Sequence, residues 1–246
     1  MMKSTKAMAV ALAVALGLNG LANAVERTDE RSWKWSPLGI GLAAPVQLPF
    51  IESDVYGLRM GGFFGYNHDV YGLDVGVAEV CSGDFAGLQA SAFSWTSGDA
   101  YGAQFGALAN VVSGNSIALQ TGFVNANWGD PIGLQFGLIN YDCTYRGVQF
   151  GGIINWTDLA SYGLEMGLIN ANQDEYFGWA LGALVNYSSK FRGFGCGLVN
   201  VAYEVNGLQL GLINACDYMH GVQIGLINLI CESPRLPMMF LVNAWF

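Results

Sequence analysis

A glycine recurs at a nearly constant interval through most of this chain, and this repeat limits the possible folds more than any other feature of the sequence. The interval is 14 to 16 residues, and Ala118 takes the place of the glycine once. The other members are Gly57, Gly72, Gly87, Gly102, Gly133, Gly147, Gly163, Gly178, Gly193, Gly207 and Gly221. A fixed period indicates a fold built from copies of one unit. About fifteen residues are too few for a pair of helices, but they suffice for one strand with a turn or for one coil of a β-solenoid.

Each repeat alternates in the manner of a β-strand. In the segment YGLEMGLINA, which runs from Tyr162 to Ala171, the apolar residues Leu164, Met166 and Leu168 alternate with glycine and Glu165. Strict alternation places one set of side chains on each face of a strand. The repeat therefore predicts an all-β protein whose strands have one apolar face and one small or polar face.

The centre of the second face, here named the polar file, is polar in ten of twelve repeats. Its members are Arg59, Asp74, Gln89, Gln104, Gln120, Gln135, Gln149, Glu165, Ala180, Gly195, Gln209 and Gln223. If this face surrounds a water-filled lumen, its lining comprises Arg59, Asp74, Gln89, Gln104, Gln135, Gln149, Glu165, Gln209 and Gln223. The charged members would then tune ion selectivity.

The N-terminal residues have the composition of a secretory signal peptide. Lys3 and Lys6 precede an apolar run, and Ala22-Asn23-Ala24 forms a small-residue cleavage site. We therefore expect a signal peptide over residues 1–24, a linker over 25–35 and a single β-repeat domain over 36–246. Removing the two lysines from the ten basic residues leaves eight against nineteen acidic ones. This acidic balance argues against nucleic acid as a partner.

Two architectures fit the repeat, and the first is a transmembrane β-barrel. Aromatic residues lie about ten residues apart at the two ends of the apolar segments, as in barrel strands. Additional strands near Leu38–Ala44 and Met238–Phe246 would bring the number to about 14 antiparallel strands. GYNHDVYG, from Gly65 to Gly72, is typical of a hairpin turn. These features favour an outer-membrane-type barrel.

The last strand supports the same interpretation. Phe240, Val242, Ala244 and Phe246 alternate, and the chain ends on an aromatic residue. This pattern resembles the terminal insertion signal of outer-membrane proteins. The partners expected from it are outer-membrane lipid and the barrel-insertion machinery.

The alternative is a β-solenoid with one coil per repeat. Leu208, Leu210 and Leu212 would stack inward, and the polar file would form an outer ladder. An asparagine that closes most repeats, such as Asn170, would occupy a turn. The uniformity of the repeats and the absence of long loops favour this second architecture.

Chemical motifs are scarce. The two histidines, His68 and His220, are far apart in the sequence, and no phosphate loop, nucleophile elbow or zinc-protease motif occurs. The five cysteines do not recur at one repeat position, although Cys216 with Cys231 could bridge neighbouring repeats. We therefore expect no enzymatic activity, no catalytic residue, no cofactor and no metal.

The repeats GLQLGLIN and GVQIGLIN and the ending SPRLPMMFLVNAWF resemble those of a bacterial surface-repeat family found in spirochaetes and Gram-negative gut bacteria. The resemblance covers about residues 36–246. It implies an exported protein of the outer membrane or cell surface, and it implies no particular activity. The expected function is a passive channel or a structural envelope protein in the barrel architecture, and an adhesin or scaffold in the solenoid architecture.

Overall fold

The computed structural model describes residues 35–43, 46–49, 53–233 and 237–246, and within them the chain is all-β. The fold-class prediction is confirmed at this level. The expected signal peptide over residues 1–24 lies outside the described residues, and so does the expected linker apart from Trp35, where the first strand begins.

Fourteen strands make up the described part of the chain. They are β1 (Trp35–Ala43), β2 (Val46–Leu48), β3 (Asp54–Asn67), β4 (Val70–Val75), β5 (Ala78–Cys81), β6 (Phe85–Thr96), β7 (Ala100–Val112), β8 (Ser116–Thr121), β9 (Val124–Asn127), β10 (Ile132–Asp142), β11 (Tyr145–Thr157), β12 (Ala160–Cys196), β13 (Val199–Ile230) and β14 (Met238–Trp245). The two longest, β12 and β13, run through more than one coil each.

Each coil is a flattened loop with two strand segments and two turns. In one coil, β4 is followed by a turn at Gly76–Val77, then by β5, and a second turn at residues 82–84 leads into β6 of the next coil. Neighbouring coils pair in parallel and in register, so that Gly57 lies beside Gly72 and Gly72 beside Gly87. The column from Gly57 to Gly221 makes eleven steps, which at about 4.8 Å each gives a solenoid roughly 53 Å long.

This pairing shows that the barrel prediction is wrong and that the solenoid alternative is right. The segment Gly65–Gly72 is a solenoid turn and not a hairpin, because β3 and β4 run parallel with Val55 beside Val70. Parallel, in-register stacking explains the uniform sequence, since every copy of a residue then has copies of itself as neighbours.

The two ends of the stack differ from its middle. At the first coil β1 pairs in parallel with β3 and antiparallel with β2. At the last coil β14 turns back and pairs antiparallel with β13, with Trp245 opposite Gly221. These strands cover the open backbone edges of the first and last coils, which would otherwise be templates for pairing with another chain.

The repeated glycine has a conformational cause. All eleven glycines have φ between +121° and +149°, a region that other residues rarely adopt. A Cβ atom at these positions would lie 1.9 to 2.4 Å from a backbone carbonyl oxygen of the preceding coil. Ala118 holds the equivalent place without a positive φ.

We expect Gly163→Ala to lower the free energy of unfolding by about 3 kcal/mol or more. Its φ is +133°, and the added Cβ would lie 2.0 Å from the carbonyl oxygen of Gly147. The matched control is Gly152→Ala, whose Cβ would lie 2.7 Å from the flexible end of Leu138 and 3.6 Å from the nearest backbone atom, an ordinary contact. Urea unfolding of both variants checks this prediction, and similar midpoints for the two would contradict it.

Candidate functional site

The solenoid is polar inside and apolar outside. Among the described residues, 34 polar or charged side chains are buried against 16 hydrophobic ones, while 45 large hydrophobic side chains are exposed. Buried residues of ordinary soluble domains show the opposite preference. The expectation that Leu208, Leu210 and Leu212 stack inward is therefore wrong: Leu212 is 54% exposed, and neighbouring Gln209 is 2% exposed.

The polar file forms hydrogen-bonded ladders inside the solenoid, one from Asp74 to Gln149 and a shorter one between Gln209 and Gln223. Nε2 of Gln104 donates to Oε1 of Gln89 at 3.0 Å, Gln120 donates to Gln104 at 2.9 Å, and Gln135 donates to Gln120 at 3.0 Å. None of the predicted lumen residues is more than 2% exposed; they are Arg59, Asp74, Gln89, Gln104, Gln135, Gln149, Glu165, Gln209 and Gln223. They are packed core, so they do not line a water-filled passage.

Asparagines that the sequence predicts as turn residues form a second ladder inside the solenoid. Nδ2 of each donates to Oδ1 of the next at 2.8 to 2.9 Å. Its members are Asn110, Asn125, Asn140, Asn155, Asn170, Asn186, Asn200, Asn214 and Asn228. In this second ladder each amide donates to the next coil, whereas in the polar file each amide donates to the preceding coil. The two rows of amide dipoles therefore point in opposite directions. The regular recurrence of the asparagine is the sequence feature that indicates this ladder.

Aromatic rings fill the core where the polar file lacks long side chains. Ala180 and Gly195 leave space that Tyr176 and Phe191 occupy, with ring centroids 5.6 Å apart and nearly parallel planes. The hydroxyl of Tyr176 donates to the carbonyl of Gly163 at 2.9 Å. The cavity that remains there is about 10 Å³, which holds at most one water molecule.

A buried ionic cluster lies in the first coils. The Arg59 guanidinium donates to both carboxylate oxygens of Asp74, at 2.7 and 2.6 Å, and lies 3.2 Å from Glu79. Glu79 occupies the place of an asparagine in the second ladder, beside Ser94. Burial raises the pKa of Glu79, the Arg59 guanidinium opposes this shift, and the Asp74 carboxylate adds to it.

Two further carboxyl groups are buried without a cationic partner among the described residues. Asp142 accepts hydrogen bonds from Asn127 at 2.7 Å and from Gln135 at 3.0 Å, and it also contacts Gln149. Burial raises the pKa of Asp142 to about 8.

Glu165 accepts hydrogen bonds from Ser161 at 2.5 Å and from Asn172 at 3.0 Å. Burial raises its pKa to about 7. Glu165 interrupts the hydrogen bonding of the polar file. It does not donate to Oε1 of the adjacent Gln149, which is buried without a hydrogen-bond partner.

One edge of the solenoid carries the exposed charges. This charged edge consists of the described residues among the five that precede each repeated glycine or Ala118, and it is continued by Glu232 after the last coil. Aspartates of its first coils cap the next coil: Oδ1 of Asp69 accepts from the backbone N–H of Asp84 at 2.8 Å, and Oδ1 of Asp84 accepts from the backbone N–H of Asp99 at 2.8 Å. These aspartates therefore have a structural role.

Within the described residues one group has ligand atoms close enough for a metal ion, namely Asp54, His68 and Asp69 at the start of the charged edge. Nδ1 of His68 lies 3.1 Å from Asp54 and 3.3 Å from Asp69. These contacts already join the three side chains to one another. His220 is distant from them and packs on the ring of Phe246.

The cysteines are free thiols, and they are Cys81, Cys143, Cys196, Cys216 and Cys231. Cys216 and Cys231 do lie in neighbouring coils, joined by a backbone hydrogen bond of 2.9 Å. The suggested bridge between them is absent from the structure. Burial raises the pKa of the Cys216 thiol to about 12, so this group is protonated at neutral pH.

The four residues of the predicted insertion signal lie in β14 or directly after it. Phe240, Val242 and Phe246 are 63%, 48% and 79% exposed, and Ala244 is also exposed. The strand covers the last coil and does not close a barrel.

No family model, no curated protein and no solved structure matches this chain. Within the described residues no helix is long and apolar enough to cross a membrane.

Proposed function

We propose that this chain is an exported, non-enzymatic surface-repeat protein that acts as a scaffold or adhesive element of a bacterial envelope. The observation that carries the proposal is that the buried polar side chains join the coils, while the exposed side chains are not needed for this pairing. The polar side chains hold one coil to the next, as in the 2.8 Å bond between Asn140 and Asn155. The outer faces are free to make contacts along a rigid rod.

The sequence supports the location. Residues 1–24 have the pattern of a signal peptide, and the repeats resemble the surface-repeat family. A solenoid offers an extended surface of fixed period, which suits repeated contacts with a partner.

The location is tested by labelling intact cells with a membrane-impermeant amine reagent. Lys190 is exposed on the charged edge, and we expect its peptide to be modified before cell lysis. Lys190→Arg is the matched control, since it keeps the charge and removes the reactive amine. Modification only after lysis would contradict surface exposure.

The role is tested by deleting the gene and restoring it. We expect deletion to reduce attachment or envelope integrity without abolishing growth on any single nutrient. Loss of one nutritional ability, restored by the purified protein acting on a substrate, would indicate an enzyme instead.

A further inference from the structure

The exposed charges between residues 53 and 233 lie along a single line. Within residues 53–233 every charged side chain that is not buried belongs to the charged edge. These residues are Asp54, Asp69, Asp84, Asp99, Asp130, Arg146, Asp158, Asp174, Glu175, Lys190, Arg192, Glu204, Asp217 and Glu232. Eleven are acidic and three are basic, so the edge is strongly negative.

The opposite turn of every coil carries an apolar residue. We name this column the apolar ridge; its members are Phe63, Val77, Ala92, Leu108, Phe123, Leu138, Ile153, Leu168, Leu184, Leu198, Leu212 and Leu226. All of them except Ala92 are between 40% and 71% exposed. The ridge extends along all the coils.

The two outer faces that join the ridge to the charged edge are apolar as well. On one face Leu134 and Phe136 are 42% and 40% exposed, and on the other Ile139 is 38% exposed. The apolar surface is therefore continuous from one face, across the ridge, to the other face. Exposed apolar surface of this extent marks an interaction site.

Tyrosine and tryptophan are concentrated on the charged edge and directly beside it, where it meets the apolar surface. Of the thirteen that are not buried within residues 53–233, twelve lie within the seven residues before a repeated glycine or Ala118. These are Tyr56, Tyr66, Tyr71, Trp95, Tyr101, Trp128, Tyr141, Trp156, Tyr162, Tyr187, Tyr203 and Tyr218. Only Trp179 lies elsewhere. Such rings favour the boundary between hydrocarbon and water.

We propose that this surface binds a lipid membrane, with the apolar ridge among the acyl chains and the charged edge at the level of the headgroups. The proposal rests on the proposed function only in that export gives the protein access to the envelope. A second copy of the chain seated on one face would leave the other face exposed, whereas lipid covers both faces and the ridge together.

The orientation follows from the dimensions. The charged edge runs the whole length of a solenoid of roughly 53 Å, and the hydrocarbon core of a bilayer is only about 30 Å thick. The solenoid axis therefore lies in the plane of the membrane. The protein enters one leaflet from the side without crossing the bilayer.

The negative edge determines which lipids bind best. Proteins held to membranes by basic patches prefer anionic lipids. Here the apolar ridge drives binding and the acidic edge lies near the headgroups, so phosphatidylcholine vesicles should bind more protein than vesicles with phosphatidylglycerol. Added salt should reduce this difference by screening the repulsion.

The experiment is flotation of the mature chain with phosphatidylcholine vesicles. We compare Phe123→Gln/Leu212→Gln/Leu226→Gln on the ridge with Ile117→Gln/Leu159→Gln/Phe177→Gln on the charged edge. All six side chains are between 54% and 58% exposed, so the two triple variants remove similar apolar area. Circular dichroism establishes that both remain folded.

We expect the ridge variant to bind vesicles at least about tenfold more weakly, and the edge variant to change by less than about threefold. Equal losses in the two variants would overturn the proposal, and so would a wild-type protein that does not float. A wild-type protein that stays in solution as a stable dimer, dissociated by the ridge substitutions, would identify a second copy as the occupant. If the protein floats with vesicles but Lys190 is not labelled on intact cells, the membrane-binding proposal stands and the proposed cell-surface location is wrong.

Discussion

Asn155→Ala is expected to lower the free energy of unfolding by about 3–5 kcal/mol, because it breaks the second ladder in its middle. Asn155 is 1% exposed. It accepts from Asn140 at 2.8 Å, and it donates to Asn170 at 2.8 Å and to the carbonyl of Met166 at 3.0 Å. The alanine leaves a buried donor and buried acceptors unpaired and also leaves a small cavity.

The control for this prediction is Asn206→Ala. Asn206 is exposed on the charged edge, where water replaces any lost hydrogen bond, so its substitution should change stability by less than about 0.5 kcal/mol. Chemical denaturation of both variants provides the measurement. An Asn155→Ala protein as stable as the Asn206→Ala protein would show that the ladder does not hold the coils together.

Glu165→Gln is expected to stabilise the protein at alkaline pH and to reduce the dependence of its stability on pH. Burial raises the pKa of Glu165 to about 7 from its ordinary 4.5, so the folded protein holds a proton that the unfolded chain releases. The contribution of Glu165 to stability is therefore complete below about pH 4.5 and is lost as the pH rises to about 7. Each pH unit in this window costs about 1.4 kcal/mol, or roughly 3 kcal/mol in full.

The glutamine side chain of this variant has no proton to lose in this pH range, and its amide group also supplies a hydrogen-bond donor. Gln149 has a buried Oε1 without a hydrogen-bond partner beside Glu165, and Nε2 of a glutamine at this position can donate to it. The control is Glu204→Gln, which removes an exposed acid from the charged edge. Thermal unfolding at pH 5 and pH 8 distinguishes the two variants. A pH dependence in Glu165→Gln equal to that of the wild type would contradict the assignment.

The barrel prediction was wrong for a physical reason that is visible in the repeat itself. In a barrel, adjacent strands run antiparallel, and a glutamine at the centre of one strand has no fixed requirement for a glutamine in the next. In the solenoid, Gln104 lies directly beside Gln89 and Gln120. Identical amides at this spacing donate and accept in turn, and uniformity of the repeat was the sign of that arrangement.

The prediction that the asparagines lie in turns was wrong for a local reason. Strict alternation from the glycine would put Asn140 and Ile139 on faces opposite to those they occupy. The chain turns from one strand segment to the other at Leu138, so Ile139 lies on the outer face and Asn140 lies inside. A two-residue period read across this turn therefore inverts the second half of each coil.

The sequence by itself determined the period of the repeat, the strand character of each unit and the division of side chains into polar and apolar sets. Only the tertiary structure decided which set lies inside. Hydrophobicity alone would bury Leu208 and Leu210, but parallel stacking places each buried amide within bonding distance of its own copy, as Gln223 donates to Gln209 at 3.0 Å. A polar core is stable when its groups are paired, and that pairing exists only between coils.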